Sequence, residues 1–252
     1  MKAAPRVTRY ELRAPVEKPI SFVFVSDLHE CDNAPVLSAL NNLPADALLV
    51  GGDFLHTGVG YERGVSFLTE AAKKMPVFVS VGNHERKSGL DIAALVQKTG
   101  ATLLDDGFLS FGGITLGGLS SGFPTAGKQG HFKKTPQPDT AFAAHFASLP
   151  GYKLLLCHHP EYYPAYLRSL SVDLILSGHA HGGQWRFFGR GLFAPGQGIF
   201  PKYTAGMYDA RLIVSRGLGN PHPIPRIFNP PEIVSIRIRP YSSSPANGDY
   251  QR

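Results

Sequence analysis

The stretch "ISFVFVSDLH", residues 20–29, reads as apolar on both faces and then ends abruptly in Asp27 and His29. A strand that shuns water on both faces belongs inside a sheet covered by helices. "ALLVGGD" (47–53) and "VFVSVGNHE" (77–85) have the same build. Helix-length segments lie between and after them, at 35–43, 62–74 and 89–98. Asn33 stands where it can cap the first, with Pro35 in its opening turn. This alternation predicts an α/β fold with much parallel pairing.

After Thr99 the texture changes. "ATLLDDGFLSFGGITLGGLS" (101–120) has the short strands and glycine turns of hairpins. Residues 122–139 are polar and rich in glycine, proline and lysine, and read as a surface loop. "YKLLLCHHP" (152–160) and "VDLILSGHAH" (172–181) are two more buried strands, joined by a short helix near 162–170. "ARLIVSRG" follows, and then "EIVSIRIR" (232–239), whose period of two predicts a half-exposed strand. Residues 1–240 read as one domain and 241–252 as a disordered tail.

Hydrophobic content of 43% against 17% charged places the chain among folded globular proteins rather than disordered ones. A net charge of +6 admits a phosphorylated, nucleic-acid or membrane-surface partner. The basic residues are scattered, though, and no run makes a nucleic-acid-binding arm. Cys31 and Cys157, far apart, form neither a disulfide framework nor a CxxC metal site. The N-terminus lacks an apolar signal core, and no run reaches the roughly 18 apolar residues of a membrane span. The expectation is a cytoplasmic protein.

Five of the buried runs end in metal-capable side chains: Asp27 and His29, then Asp53, then Asn83 and His84, then His158, then His179 and His181. Sites in helix-covered sheets lie beyond the carboxyl ends of strands, where such residues can converge. Taken singly, each has a bland reading. A histidine after a strand is commonly a satisfied polar residue, and His158-His159 could simply open a turn before Pro160. Two histidines at i and i+2 could serve one ion or two. Five strand ends in a row bearing carboxylate, amide or imidazole point to metal binding.

"SDLH", "GGDF", "GNHE", "CHHP" and "GHAHGG" resemble, in order and approximate spacing, the signature blocks of the calcineurin-like metallophosphoesterases. The likeness continues through "YTAGMY" and "SRGLGNPHPIPRIFNPPEI" toward a subgroup of bacterial phosphodiesterases and UDP-diacylglucosamine pyrophosphatases. The resemblance implies a four-layer α/β/β/α sandwich of two mixed sheets flanked by helices, with a dinuclear metal site at strand C-terminal ends. It implies one ion on Asp27, His29 and His181, a second on Asn83, His158 and His179, and Asp53 bridging both. Imidazole with amide and carboxylate oxygen suits manganese, iron or zinc, manganese being favoured, and the lack of thiolate argues against structural zinc. His84, after Asn83, resembles the family histidine that contacts phosphate or protonates the leaving group, and the general-acid role is favoured. Along an extended segment His179 and His181 would share a side with Ala180 turned away, while Gly178, Gly182 and Gly183 let the backbone approach the metals. By alternation His159 should point away from the ions and Cys157 into the core. Roles for His56, Arg86 and Arg216 stay open.

The implied reaction is hydrolysis of phosphodiester or pyrophosphate bonds by a metal-bound hydroxide between two ions about 3.5–4 Å apart. The substrate would be a phosphorylated small molecule, nucleotide or lipid-linked compound, the last reached from the inner membrane face. A phosphomonoesterase or phosphoprotein phosphatase is the competing reading, but Asp53 is followed by "FLHTG" rather than that branch's "xxDRG". A non-catalytic scaffold would have lost ligands, and here every expected position is filled.

Overall fold

In the computed structural model, which describes residues 4–125, 135–220 and 224–241, the apolar runs form two six-stranded sheets. The strands follow in chain order as β1 (Arg6–Ala14), β2 (Ile20–Val25), β3 (Ala47–Val50), β4 (Val77–Ser80), β5 (Thr102–Leu104), β6 (Gly107–Phe111), β7 (Ile114–Leu119), β8 (Lys153–Cys157) and β9 (Leu174–Ser177). Four two-residue strands come next: β10 (Arg186–Phe187), β11 (Arg190–Gly191), β12 (Phe193–Ala194) and β13 (Gly198–Ile199). Then come β14 (Gly206–Tyr208), β15 (Leu212–Val214) and β16 (Glu232–Pro240).

One sheet has the order β1-β16-β2-β3-β4-β5, the other β14-β15-β9-β8-β7-β6. Strands β2 to β5 run parallel, as do β7, β8, β9 and β15, while antiparallel pairs at β16–β2, β14–β15 and β6–β7 make both sheets mixed. The β6–β7 hairpin turns at Gly112 and Gly113, both at positive φ (58° and 83°), as a tight primed turn requires.

Burial explains the layering. Phe22, Phe24 and Leu49 from the first sheet pack with Leu116, Leu154 and Leu176 from the second. The outer face of the first sheet is covered by α1 (Ala34–Leu40), α2 (Glu62–Ala72) and α4 (Ile92–Thr99), which bring Leu40, Phe67 and Val96 onto Val23, Leu48 and Val79. The second is covered by α5 (Thr140–Ser148) and a π-helical turn at Tyr163–Leu167, where Phe146 and Leu167 meet Leu155 and Ile175. The result is the four-layer sandwich. A short α3 (Asn83–Ser88) lies at its edge.

Several local expectations change. The segment expected as a half-exposed strand, β16, is more buried than that and lies inside its sheet: Ile233, Val234, Ile236 and Ile238 are buried, and only Arg237 is exposed. Its outer neighbour β1, whose pairing puts Arg6 opposite Glu232, had no counterpart in the sequence reading. The α5 helix was also unforeseen; Asp139 caps it by accepting from the Ala141 and Phe142 amides, both at 2.9 Å. Asn33 does occupy the N-cap of α1, but its side chain makes no cap bond and donates instead to the Arg63 carbonyl. The expected helix at 162–170 is the π-turn, with Arg168 N donating to the Tyr163 carbonyl at 2.8 Å. Residues 126–134 of the expected surface loop and 242–252 of the expected tail lie outside the described residues.

Candidate metal centre

Neighbouring parallel strands end together, so β2, β3 and β4 of one sheet and β8 and β9 of the other deliver their trailing residues to one edge. Hydrogen bonds knit these ends. Asp27 N donates to the Gly52 carbonyl (3.0 Å), His29 N to the Asp53 carbonyl (3.2 Å), and Gly178 N to the His158 carbonyl (3.1 Å). Between sheets, His179 N donates to Asp27 Oδ1 at 3.0 Å, and His158 Nδ1 pairs with the Gly51 carbonyl at 2.7 Å.

Of the seven expected ligands, five stand at positive φ: Asp27 (54°), His29 (45°), Asp53 (53°), His179 (62°) and His181 (46°). Left-handed backbone costs a non-glycine residue roughly 1–2 kcal/mol, and such strain gathers at functional sites where the surroundings enforce it. The "GHAH" segment is therefore not extended. Ala180 is right-handed (φ −76°) between two left-handed histidines, and it is Ala180 that turns into the core. The glycines also serve other neighbours than the ions. A Cβ on Gly178 would lie 2.5 Å from Asp27 Oδ2, whereas Gly182 and Gly183 are crowded by Asn229 and Gly191.

Among the described residues four groups of donors lie close enough to share an ion. His29 also groups with His56 and His84, and His179 with His159 and Glu161, but the expected ligands fall into two sets. Asp27, His29 and His181 form one, with His29 Nε2 and His181 Nε2 3.3 Å apart and Asp27 Oδ1 3.5 Å from His181 Nε2. Asp53, His158 and His179 form the other. Asp53 Oδ2 faces both, 3.1 Å from His158 Nε2 and 3.6 Å from His29 Nε2, while its Oδ1 accepts from His84 N at 2.8 Å. All of these side chains are buried.

The residues fit a pair of cations on their own chemistry. Asn83 Oδ1 and His29 Nδ1 are buried without a hydrogen-bond partner among the described residues, an exception that a bound ion would account for at Asn83. His158 Nδ1 on the Gly51 carbonyl orients its ring so that Nε2 points inward, the usual arrangement of a metal-ligating imidazole. Burial drives His29, His179 and His181 well below the ordinary imidazole range, leaving neutral rings with lone pairs to give. Burial also lifts Asp27 to about 6, against the pull of His158 and with Asp53 adding to it. Burial would raise Asp53 too, but His158, His84 and His29 hold it well below its usual range. His158 is opposed by burial yet pushed up to about 10 by Asp53 and Asp27. One imidazolium thus offsets only one of two buried carboxylates, whereas divalent ions would offset both with charge to spare.

His84 lies at the rim. Thr57 N donates to its Nδ1 at 3.0 Å, so the neutral ring carries its proton on Nε2, 4.0 Å from Asp53 Oδ2. Half-buried His56 packs on it, ring centroids 4.8 Å apart, and 5.3 Å from the His29 ring. His159 is buried, pairs with Ser121 Oγ at 2.8 Å, and stacks edge-on against His179 at 4.3 Å. Cys157 is in the core. Arg86 is bound to Asp105 (2.8 Å) and Ser120, and Arg216 lies beside Glu232; neither contacts the two donor sets. Arg226 does, with Nη2 3.2 Å from His181 Nδ1; nothing in its local sequence marked it.

Glu85 is the other residue missed. Its buried carboxylate accepts from the amides of Asp53 (2.7 Å), Gly82 (2.8 Å) and Leu55 (3.2 Å), clamping the β3 loop to the β4 loop. Burial, with nearby Asp53, raises it to about 7. The signal was present: an acid three residues after Gly82, where a helix starts, can reach back to the cap amide.

A family model described as Calcineurin-like phosphoesterase matches residues 20–183, which include all eight expected site residues. A metallophosphoesterase of Helicobacter pylori is 28% identical over 239 residues, covering 89% of this chain and 61% of its own. Phosphodiesterase YaeI of Escherichia coli is 28% identical over 245 residues, 87% of this chain and 82% of that one. UDP-2,3-diacylglucosamine pyrophosphatase LpxG of Chlamydia muridarum is 34% identical over 116 residues, 42% of this chain and 34% of its own. The chain spans about three-fifths of the Helicobacter protein's length. Among the described residues, no helix is long and apolar enough to cross a membrane.

Proposed function

We propose that this chain, which belongs to the calcineurin-like phosphoesterase family, hydrolyses phosphodiester or pyrophosphate bonds with two metal ions. Asp27, His29 and His181 would hold one ion, Asn83, His158 and His179 the other, and Asp53 would span both. The observation that carries this reading is Asp53 Oδ2, set between the two donor sets at 3.6 and 3.1 Å from their nearest imidazole nitrogens. Bound there, the ions would supply Lewis-acid polarisation of the phosphoryl oxygens and of the attacking water. Manganese is the ion we favour, because carboxylate and amide oxygens accompany the imidazoles and thiolate does not. Diester and pyrophosphate substrates are favoured over monoesters because relatives are named for those bonds.

The chain's own groups position and hold. Ser26 Oγ donates to Asp27 Oδ2 at 2.7 Å and the His179 amide to Oδ1, leaving that carboxylate one orientation. Glu85 fixes the loops bearing Asp53 and Asn83. We assign His84 Nε2–H to donate to a phosphoryl oxygen. Protonating its Nδ1 would set that proton against the Thr57 N–H, which disfavours the general-acid role.

Chelation should abolish turnover of bis-p-nitrophenyl phosphate, and manganese should restore it. Asp53→Asn should lower bound metal and cut the rate by about 10³-fold or more, as expected when several kcal/mol of charge stabilisation are lost. Full turnover by metal-free protein would overturn the dinuclear reading.

A further inference from the structure

Beyond the reaction, the structure carries an apolar surface that its own fold does not use. Phe188 is 105% exposed, Phe200 76% and Phe228 75%. All three stand at positive φ (50°, 52° and 52°), on turns where glycine or asparagine would be the ordinary choice. A bulky ring in left-handed backbone is strained, and among the described residues Phe188 and Phe200 have no ring contact that would offset it. Such a departure from local consistency marks a functional surface.

The three turns share one region. The Phe187 and Phe228 rings meet at 5.9 Å, and one surface hollow is lined by Phe188, Arg216 and Phe228. A neighbouring hollow is lined by Arg190, Phe200 and Lys202, and Gly189 borders both. From Trp185 to Tyr208 the chain contains no aspartate or glutamate, but three cations, Arg186, Arg190 and Lys202. Arg190 and Lys202 are exposed. Arg186 is turned inward, donating to the Gly182 carbonyl (2.6 Å), Thr204 Oγ1 (3.0 Å) and the Gly189 carbonyl. It thereby ties the β10–β11 hairpin to the turn that bears His181.

We propose that these hairpins dock on an anionic phospholipid bilayer, with Phe188, Phe200 and Phe228 entering the headgroup boundary and Arg190 and Lys202 meeting the negative surface. Separate aromatic prongs with hollows between them suit a deformable lipid surface, whereas a rigid protein would need a socket for each. Apolar burial combined with attraction of cations to anionic lipid is what holds peripheral proteins at membranes. Through Arg186 the docking hairpin is joined directly to the turn that bears His181.

The test uses the full chain and vesicles of phosphatidylcholine with or without phosphatidylglycerol. The protein should sediment with the mixed vesicles, more weakly at high salt, and the emission of its single tryptophan, Trp185, should shift to the blue on binding. The double variant F188G/F200G keeps residues suited to left-handed backbone. It should bind at least about 10-fold more weakly, since burying each phenylalanine is worth about that factor or more. R190E/K202E should also weaken binding by about 10-fold or more. Both variants should cleave bis-p-nitrophenyl phosphate in vesicle-free buffer as the unmodified chain does, which shows that they fold. Equal vesicle binding by all three proteins would overturn the proposal. So would concentration-dependent self-association, abolished by F188G/F200G, in a chain that ignores vesicles, because the surface would then join two copies. The binding readout does not involve turnover, so its failure leaves the proposed hydrolysis standing.

Discussion

The strand-end cluster and the aromatic hairpins both force non-glycine residues into left-handed backbone, in opposite surroundings. Asp27, His29, Asp53, His179 and His181 are buried, and their backbone is held by bonds with Gly52, Gly219, Glu85, Asn229 and one another. Phe188, Phe200 and Phe228 bear the same strain on open turns. Strain held from within preorganises a site, because the chain has met the cost before any ligand arrives. Strain on an exposed tip is compensated only by what the tip will touch. The first region should therefore be sensitive to loss of its partners, and the second nearly indifferent until a surface is present.

Among variants that should keep their metal, the largest contrast should come from His84. His84→Ala should retain its metal and lose about 10²-fold in turnover, typical of removing one preorganised donor to developing charge. The loss should be equal for p-nitrophenolate and alkoxide leaving groups. A loss confined to the alkoxide would restore the general-acid role and place the cluster's chemistry at its rim.

Glu85→Gln probes the internal support directly. It keeps the side chain's shape but replaces one acceptor oxygen by an amide donor, set against either the Asp53 and Gly82 amides or the Leu55 amide. Metal affinity should fall about 10–100-fold, as for other residues that orient ligands. Unchanged affinity would mean that the β3 and β4 loops keep their positions without the clamp, and that the cluster is less constrained than its hydrogen bonds indicate.

Thermal stability against pH separates the charge balance from the backbone. Burial pulls His158 down, but Asp53 and Asp27 raise it to about 10 in the folded chain, against about 6.5 unfolded. Its protonation therefore contributes fully below about pH 6.5, and that contribution is lost as pH rises toward 10. Metal-free protein should lose melting temperature across that window. Metal-loaded protein should lose far less, since ligation keeps His158 unprotonated. Equal slopes would show that the ions do not replace the imidazolium. The smallest effect is expected from Phe188→Gly, which should stabilise the vesicle-free chain by about 1 kcal/mol, the relief of left-handed strain less the backbone freedom glycine adds. Destabilisation would show that Phe188 packs in solution and would remove the contrast.

Legibility followed the range of the interactions. The strands that precede Asp27, Asp53, Asn83 and His158 could be read because burial on two faces writes a continuous apolar run into the chain. The Gly112–Gly113 hairpin could be read because its turn chemistry is local. Strand β1 could not: its partner β16 lies 226 positions on in their register, Arg6 opposite Glu232, and its own pattern suits any edge strand. Glu85 was quoted within "GNHE" without a role, because the amides it holds belong to another loop. The "GHAH" segment misled for a related reason. Alternation was the natural reading of i and i+2, yet contacts with Asp27 and the core around Ala180 bend it into a left-handed pair.

Sequence alone determined the family likeness, the two-sided strands and the order in which metal-capable side chains arrive, since residue type and spacing are properties of the chain in any conformation. Only the tertiary structure decided the distances that set Asp53 Oδ2 between His29 and His158, and that Arg226 reaches His181 while Arg86 and Arg216 turn elsewhere. Those are relations between strands from two sheets, fixed when Phe22, Leu49, Leu116 and Leu154 close the layer between them. Hydrophobic burial sets that geometry without regard to direction, and the directional bonds at the strand ends then select one arrangement of ligands from the many the chain could otherwise hold.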